Sequence, residues 1–381
     1  MEIQENILLA PYTTLQVGGN ARYFAEPQND IEVIEALRWA QTRAIPVFVL
    51  GGGSNLLVSD AGYDGLVLHI AIEGIETHDD GDKRIYSVGA GVAWDSFVAR
   101  AVEDNCAGVE CLSGIPGTVG GTPVQNVGAY GQDVAETIVR VCGVEATTLD
   151  RVQFDKTECS FSYRQSRFNG QDFGRYIITR ADYALEPGGA PKLAYADLNR
   201  RFKANISGNS DPSLSEVRKC VLEIRKAKGM VLDEADADSR SAGSFFKNPI
   251  VSCAEYERIS AASAIPVPHF EAGEGWVKLA AAWLIEQSGI GRGFVFGPVG
   301  ISSKHTLALI NRGGATASDV LLLKEFVQRR VHDRFSVELR PEPVMLGFGA
   351  QDETRLAAQE LNRVCLDDEP HALSPQQSEI L

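Results

Sequence analysis

The chain has 381 residues, a net charge of −15, 44% hydrophobic residues and 23% charged residues. That length exceeds a single compact core, since cores stop growing at roughly 250–300 residues, so two or three domains are expected. The acidic balance argues against a nucleic-acid partner, which would need a cationic footprint, but it allows a phosphorylated ligand, which needs only a few local cations and backbone N–H groups.

Residues 22–27 predict a strand, and Asp30 opens a helix over 30–43 with apolar residues at helical spacing. The apolar run 45–50 predicts a second strand, completing a βαβ unit that ends in GGGSN; another strand is expected over 64–70. A second block follows, with a strand at 85–88, an amphipathic helix at 93–105 and a Gly-rich stretch at 113–131. Residues 139–148 and 176–185 predict strands of an antiparallel sheet, with CSFSYRQSRF between them as a structured loop. The segment 186–213, rich in Pro, Gly, Asn and Ser, is an excursion; helix 214–228 and the acidic loop DEADADSR come next. From Ala242 a third block is expected to hold helices near 254–263, 277–288 and 317–334, and strands at 306–310 and 336–340. The acidic tail 350–381 has no β pattern and is expected to be mostly disordered, with 354–364 able to form a short helix.

No apolar run approaches the roughly 18 residues of a membrane span. The N-terminal MEIQENILLAPYTTL lacks a basic n-region and a cleavage site, so a cytoplasmic protein is expected. Seven cysteines without a CxxC pair point to reduced thiols, and six dispersed histidines indicate no metal site.

GGGSN at 51–55 follows a strand, as a phosphate-binding turn should; its glycines permit positive φ and close approach of a ligand to the backbone. It lacks the spacing of a Rossmann fingerprint, and a plain tight turn is the alternative. The nearly uncharged stretch GIPGTVGGTPVQNVGAYG, 114–131, is too long and too apolar for a solvated linker. Two Gly-rich segments on successive blocks suit a dinucleotide with a flat ring. Arg164 in SYRQSRF is a fixed-charge fork suited to a carboxylate, or a surface arginine. Ser244 lies in AGSFFKNP, which also reads as the entry to an apolar strand. Glu342 in LRPEPVMLG is either a capped turn residue or a desolvated functional group.

These segments, with TTLQVGG, AAWLIEQSG and SKHTLALIN, run in order from about Pro11 to Gly349. Together they resemble the UDP-N-acetylenolpyruvoylglucosamine reductases, and LAYADL at 193–198 resembles the tyrosine-loop type of that family. The resemblance implies an α+β fold: a two-lobed FAD-binding unit of the vanillyl-alcohol-oxidase-like type and a C-terminal α/β substrate-binding domain. The corresponding boundaries are 1–72 and 73–222 for the two lobes, the second including the tyrosine loop 186–213. The substrate domain is 223–349, its last strand free to return to lobe 1, and 350–381 is the tail. It implies that non-covalent FAD is held by Gly51, Gly52, Gly53, Ser54, Asn55 and Leu56, by Ile115, Pro116, Gly117, Gly120, Gly121 and Thr122, and by Asn126, Gly128, Ala129, Tyr130 and Arg225. Tyr163, Tyr195, Lys228, Asn248, Arg292 and His305 match positions that hold the nucleotide sugar; Arg164, Ser244 and Glu342 match the catalytic set.

The implied activity is NADPH-dependent reduction of an enolpyruvyl ether of UDP-N-acetylglucosamine to UDP-N-acetylmuramate, by a monomer. Arg164 and Glu342 would stabilise charge on the substrate's carboxylate, and Ser244 would protonate C2. Val344 departs from the basic residue that many relatives carry there. The competing readings are an FAD-dependent oxidase on the same scaffold and a non-catalytic flavin-binding protein.

Overall fold

Asn29 accepts a hydrogen bond from Glu32 N and opens the helix Asp30–Gln41, which buries Val33, Ala36, Leu37 and Ala40 along one face. This helix carries the chain between parallel strands. Asn20–Ala25 and Val47–Leu50 both pair in parallel with Tyr63–His69, and Gln4–Leu8 adds an antiparallel edge. Burial of a side chain such as Leu37 contributes roughly 1.5–3 kcal/mol. The computed structural model describes residues 1–205 and 212–349. Met1–Gly347 forms one compact unit. The acidic tail lies outside the described residues, as does part of the 186–213 excursion.

The second sheet is antiparallel, in the order Arg151–Asp155, Ile138–Glu145, Tyr176–Pro187, Lys83–Gly89 and Ile75–Asp80. Helix Trp94–Glu103 buries Trp94, Phe97, Val98, Ala101 and Val102. Trp94, Phe97 and Tyr183 meet ring to ring, with Phe97 and Tyr183 centroids 4.8 Å apart. Helix Leu214–Ala227 begins on a capping box formed by Ser213 and Glu216.

Beyond it lie two three-stranded antiparallel sheets, Ile250–Ser252 with Trp276–Leu279 and His269–Glu271, and Val295–Phe296 with Val299–Ile301 and Leu309–Asn311. Helices Cys253–Ala261, Ala281–Gln287 and Ala317–Phe335 accompany them. The last strand, Val344–Leu346, pairs in parallel with Leu56–Val58, directly after the GGGSN turn. Asp60 accepts from Ala317 N and Ser318 N and so caps the long C-terminal helix. The mixed architecture is the α+β class expected.

Two local expectations are corrected. Residues 336–340 form no strand: Arg340 O accepts from Lys247 N, but the chain then enters Pro341 and Pro343, which lack N–H donors, and the pairing stops at an isolated bridge between Phe246 and Pro341. The helix expected over 277–288 is divided. Trp276–Leu279 is a strand, and the helix starts at Ala281, whose N–H donates to Asn248 Oδ1 at 3.0 Å. The strands Gln4–Leu8, Ile75–Asp80 and Arg151–Asp155 escaped the apolar patterning because they are mostly exposed edges. The six described cysteines are free. Among the described residues no helix is long and apolar enough to cross a membrane, and no group of His, Cys, Asp and Glu is arranged to hold a metal.

Candidate active site

One wall of the site is backbone. Gly53 has a φ of 60°, and a Cβ there would stand 1.9 Å from Tyr12 O, so only glycine fits. A Cβ on Gly52 would meet Gly117 Cα at 2.5 Å, which shows how closely the two Gly-rich loops touch. Ser54 Oγ donates to Pro116 O at 3.0 Å, and a Cβ on Gly51 would meet Thr118 Oγ1 at 2.9 Å. The motif TTL supports the turn from below. Thr14 N donates to Gly53 O, and Thr14 Oγ1 donates to Ser241 O at 2.6 Å. Among the described residues, the N–H groups of Gly52, Gly53, Ser54 and Asn55 donate to no acceptor within the chain. Successive unsatisfied N–H groups in a glycine cradle fit the diphosphate of a dinucleotide such as FAD.

Asn55 is the junction of three segments. Its Nδ2 donates to Gln125 Oε1 at 2.9 Å, and its O accepts from Val344 N at 3.0 Å. The second loop is anchored in turn. Gly120 N donates to Ala90 O, and Gly114 N donates to Asp95 Oδ1 at 2.6 Å. Around Gly121 a Cβ would meet nothing within 4 Å, so that position faces open space. Thr122 points the other way: it is buried, with its hydroxyl against Tyr183 Oη at 2.7 Å. Leu56 is buried in its strand, and Ile115 packs on the core. Arg225 is buried beside Gly114, donates to Met230 O, and has an Nε without a partner.

The second wall is made of charged side chains. Asn126 Nδ2 donates to Ser162 O, and Ser166 Oγ donates to Val124 O, fastening SYRQSR to the second loop. Ser162 and Gln165 bond reciprocally, which leaves Tyr163 and Arg164 at the corner of a tight turn. Arg164 has a φ of 55°. A non-glycine residue in that left-handed region costs roughly 1–2 kcal/mol. Such strain persists where surrounding contacts enforce it, often at functional sites. The turn projects the guanidinium past Gly128, whose Cβ would meet Arg164 Nη1 at 3.4 Å, to Glu342. Arg164 Nε stands 3.6 Å from Glu342 Oε1.

Glu342 is fixed through its backbone: its N–H donates to Phe245 O, and its O accepts from Asn55 Nδ2 at 3.5 Å. Burial pushes its carboxyl above the usual carboxylate range, with Arg164 and Lys247 pulling it back. At 3.6 Å the arginine makes no direct hydrogen bond that would hold the proton off. Ser244 immediately precedes Phe245, which binds both Glu342 N and Leu307 O. Among the described residues the hydroxyl of Ser244 has no hydrogen-bond partner. Ser244 and Glu342 therefore share one backbone crossing, nearly a hundred positions apart in sequence.

A third group gathers Lys228, Arg292 and His305. Lys228 ends helix Leu214–Ala227. Burial drives His305 down to about 4, and the charges of Lys228 and Arg292 push the same way. Tyr195 is 39% exposed and meets the ring of Tyr130 edge-on, centroids 5.3 Å apart. Tyr130, with φ 50°, is at the corner of a hairpin that pairs Ala129 with Gln132. Asn248 spends its Oδ1 capping the helix at Ala281. Residues the sequence did not single out also contribute. Gln125 holds Asn55, Lys247 influences Glu342, and Lys278 Nζ lies 4.3 Å over the Tyr163 ring. Lys278 belongs to VKLAAAWLIEQSG, where only the apolar part carried a signal.

Residues 21–150 match the family model described as "FAD binding domain", and 234–346 match "UDP-N-acetylenolpyruvoylglucosamine reductase, C-terminal domain". An enzyme of Thermobifida fusca named UDP-N-acetylenolpyruvoylglucosamine reductase is 45% identical over 351 residues, covering 90% of this chain and 97% of that protein. One of the same name from Mycobacterium tuberculosis is 42% identical over 359 residues, covering 91% and 95%. The crystal structure of the reductase from Thermus caldophilus superposes with a TM-score of 0.62 at 25% identity, covering 91% of this chain and 99% of that one. An FAD-binding domain followed by the C-terminal domain of a reductase family defines the class, a flavoprotein oxidoreductase. Within that class the chain belongs to the UDP-N-acetylenolpyruvoylglucosamine reductase family.

Proposed function

We propose that the protein reduces UDP-N-acetyl-3-O-(1-carboxyvinyl)glucosamine to UDP-N-acetylmuramate, a step in peptidoglycan precursor synthesis, with FAD as cofactor and NADPH as reductant. Lobes 1–72 and 73–222 hold the flavin, and 223–349 holds the nucleotide sugar; the enzyme acts as a cytoplasmic monomer. The observation that carries this reading is the meeting of Arg164 and Glu342, from opposite halves of the chain, beside the Gly-rich wall.

Bound FAD supplies the hydride chemistry. The chain's own residues make the substrate reactive. A vinyl ether is electron-rich, so its double bond accepts a hydride only if charge is withdrawn from it. Arg164 binds the carboxylate and draws negative charge onto it. Glu342, held toward its protonated form by burial, adds an acidic hydrogen bond to the same group. Ser244 donates the proton that C2 needs. Its hydroxyl is a weak acid in water, but a carbanion of this type is a strong base. Lys228 holds the diphosphate as a point charge, with Arg292 beside it and His305 neutral. Tyr163 and Tyr195 offer rings to the nucleotide sugar, and Asn248 has its Nδ2 left to donate. The test is direct: adding the enolpyruvyl nucleotide sugar to the FAD-loaded protein accelerates NADPH oxidation, and no acceleration sinks the reading.

A further inference from the structure

The acidic loop DEADADSR lies outside the catalytic set, yet one of its members is buried and fully engaged. Asp238 is 9% exposed. One carboxylate oxygen accepts from Ser303 N at 2.9 Å, and the other accepts from Ser303 Oγ at 2.6 Å. Its Cβ and main-chain carbonyl pack on the turn that follows Lys228: a Cβ on Gly229 would meet Asp238 Cβ at 3.1 Å and Asp238 O at 3.2 Å. Gly229 has a φ of 66°, so the chain reverses there directly against Asp238. Asp238 thus touches both segments that carry the cationic group, Lys228–Gly229 on one side and Ser302–His305 on the other.

The second segment is tied internally by hydrogen bonds. Ser302 Oγ accepts from Lys304 N at 3.0 Å and from His305 N at 3.3 Å. Lys304 Nζ donates to Asp236 Oδ2 at 2.6 Å, so its charge is neutralised inside the acidic loop. Lys228 and Arg292 remain as the charges that act on His305.

We propose that Asp238 is a positioning residue for the nucleotide-sugar site: it clamps the Ser302–His305 loop to the turn after Lys228, fixing Lys228 and His305 relative to each other. This rests on the reading that Lys228 and His305 hold the nucleotide sugar. Asp238 itself faces Ser303 with both oxygens and acts only through these neighbours.

The test compares Asp238→Ala and Asp238→Asn in the FAD-loaded enzyme. NMR titration of the His305 imidazole needs no substrate. Its pKa of about 4 in the intact protein should rise in Asp238→Ala toward the ordinary ~6.5, as the loop loosens and water enters. The KM for the enolpyruvyl nucleotide sugar should rise about tenfold, the effect of one lost charge-assisted hydrogen bond, with kcat and flavin reduction by NADPH changed less than about twofold. Asp238→Asn keeps one acceptor oxygen for Ser303 N and should move both readouts in the same direction by less. It also serves if the alanine variant does not fold. Lys228→Ala combined with Asp238→Ala should raise KM by less than the product of the single effects, since Asp238 acts through Lys228. Unchanged His305 titration and KM in the asparagine and alanine variants would overturn the proposal. So would FAD loss with equal slowing of both half-reactions, which marks a general structural role. An intact enzyme that ignores the nucleotide sugar would sink the function assigned above, while the His305 titration would still decide the clamp.

Discussion

The two walls of the site are built by different means. Around Gly51–Asn55 and Gly114–Gly131 the chain offers main-chain groups, and the absence of side chains lets two loops approach until Gly52 leaves 2.5 Å for a Cβ beside Gly117. Around Arg164, Glu342, Lys228 and His305 the side chains matter: burial shifts Glu342 upward against the pull of Arg164 and Lys247, and burial with the charges of Lys228 and Arg292 shifts His305 downward. The first wall answers to shape and hardly to pH. The second answers to charge and burial. Substitutions on the two walls should therefore fail in different ways.

The largest effect is expected on the backbone wall. Gly52→Ala must push the two loops apart, so the purified variant should lose its FAD and its yellow colour. Overpacking of this kind costs roughly 1–3 kcal/mol or more in stability, readable as a lowered Tm. A variant that keeps FAD at the wild-type ratio would show that the loop contact has room to relax.

Next comes Ser244. If it protonates C2, Ser244→Ala should slow reoxidation of the reduced enzyme by the nucleotide sugar by about 10²–10⁴-fold, the usual worth of a positioned acid. Reduction by NADPH should stay near normal. Ser244→Cys, with a transferable proton, should retain more. Stopped-flow flavin absorbance times both halves; equal slowing would instead indicate a displaced flavin, a fault of the first wall.

Lys228→Ala should act more mildly, raising KM by roughly tenfold with kcat little changed, as loss of uniform binding does. A collapse of kcat at constant KM would move Lys228 into the chemistry.

The smallest effect concerns pH and stability. The folded pKa of His305 is about 4, below the ~6.5 of an unfolded chain. The unfolded state therefore binds the proton first as pH falls. The stability that neutral His305 supports is present above about pH 6.5 and is lost as pH falls toward 4. Denaturant titrations across that window should show a shallower decline for His305→Gln. Identical slopes would mean that the ring is less desolvated than its surroundings indicate.

The contrast between the walls also explains what could be read in advance. GGGSN and GIPGTVGGTPVQNVGAYG stand out because a backbone wall needs glycine at many nearby positions. Arg164, Ser244 and Glu342 are single side chains whose types fit several roles, and family resemblance singled them out. Their convergence depends on long-range pairings, Val344–Leu346 with Leu56–Val58 and Glu342 N with Phe245 O. No local pattern encodes those pairings. Short strands such as Ile250–Ser252 and His269–Glu271 were hidden because three residues carry too little alternation to register. Asp238 was hidden inside an acidic run that reads as solvated surface until Ser303 is seen on its carboxylate.

The most direct test of the whole account separates a reductase from an oxidase or a passive flavin carrier. The FAD-loaded protein is reduced with NADPH under anaerobic conditions and then mixed with the enolpyruvyl nucleotide sugar. The account predicts rapid return of the oxidised flavin spectrum and formation of UDP-N-acetylmuramate without oxygen. Flavin that stays reduced until oxygen is admitted would contradict it.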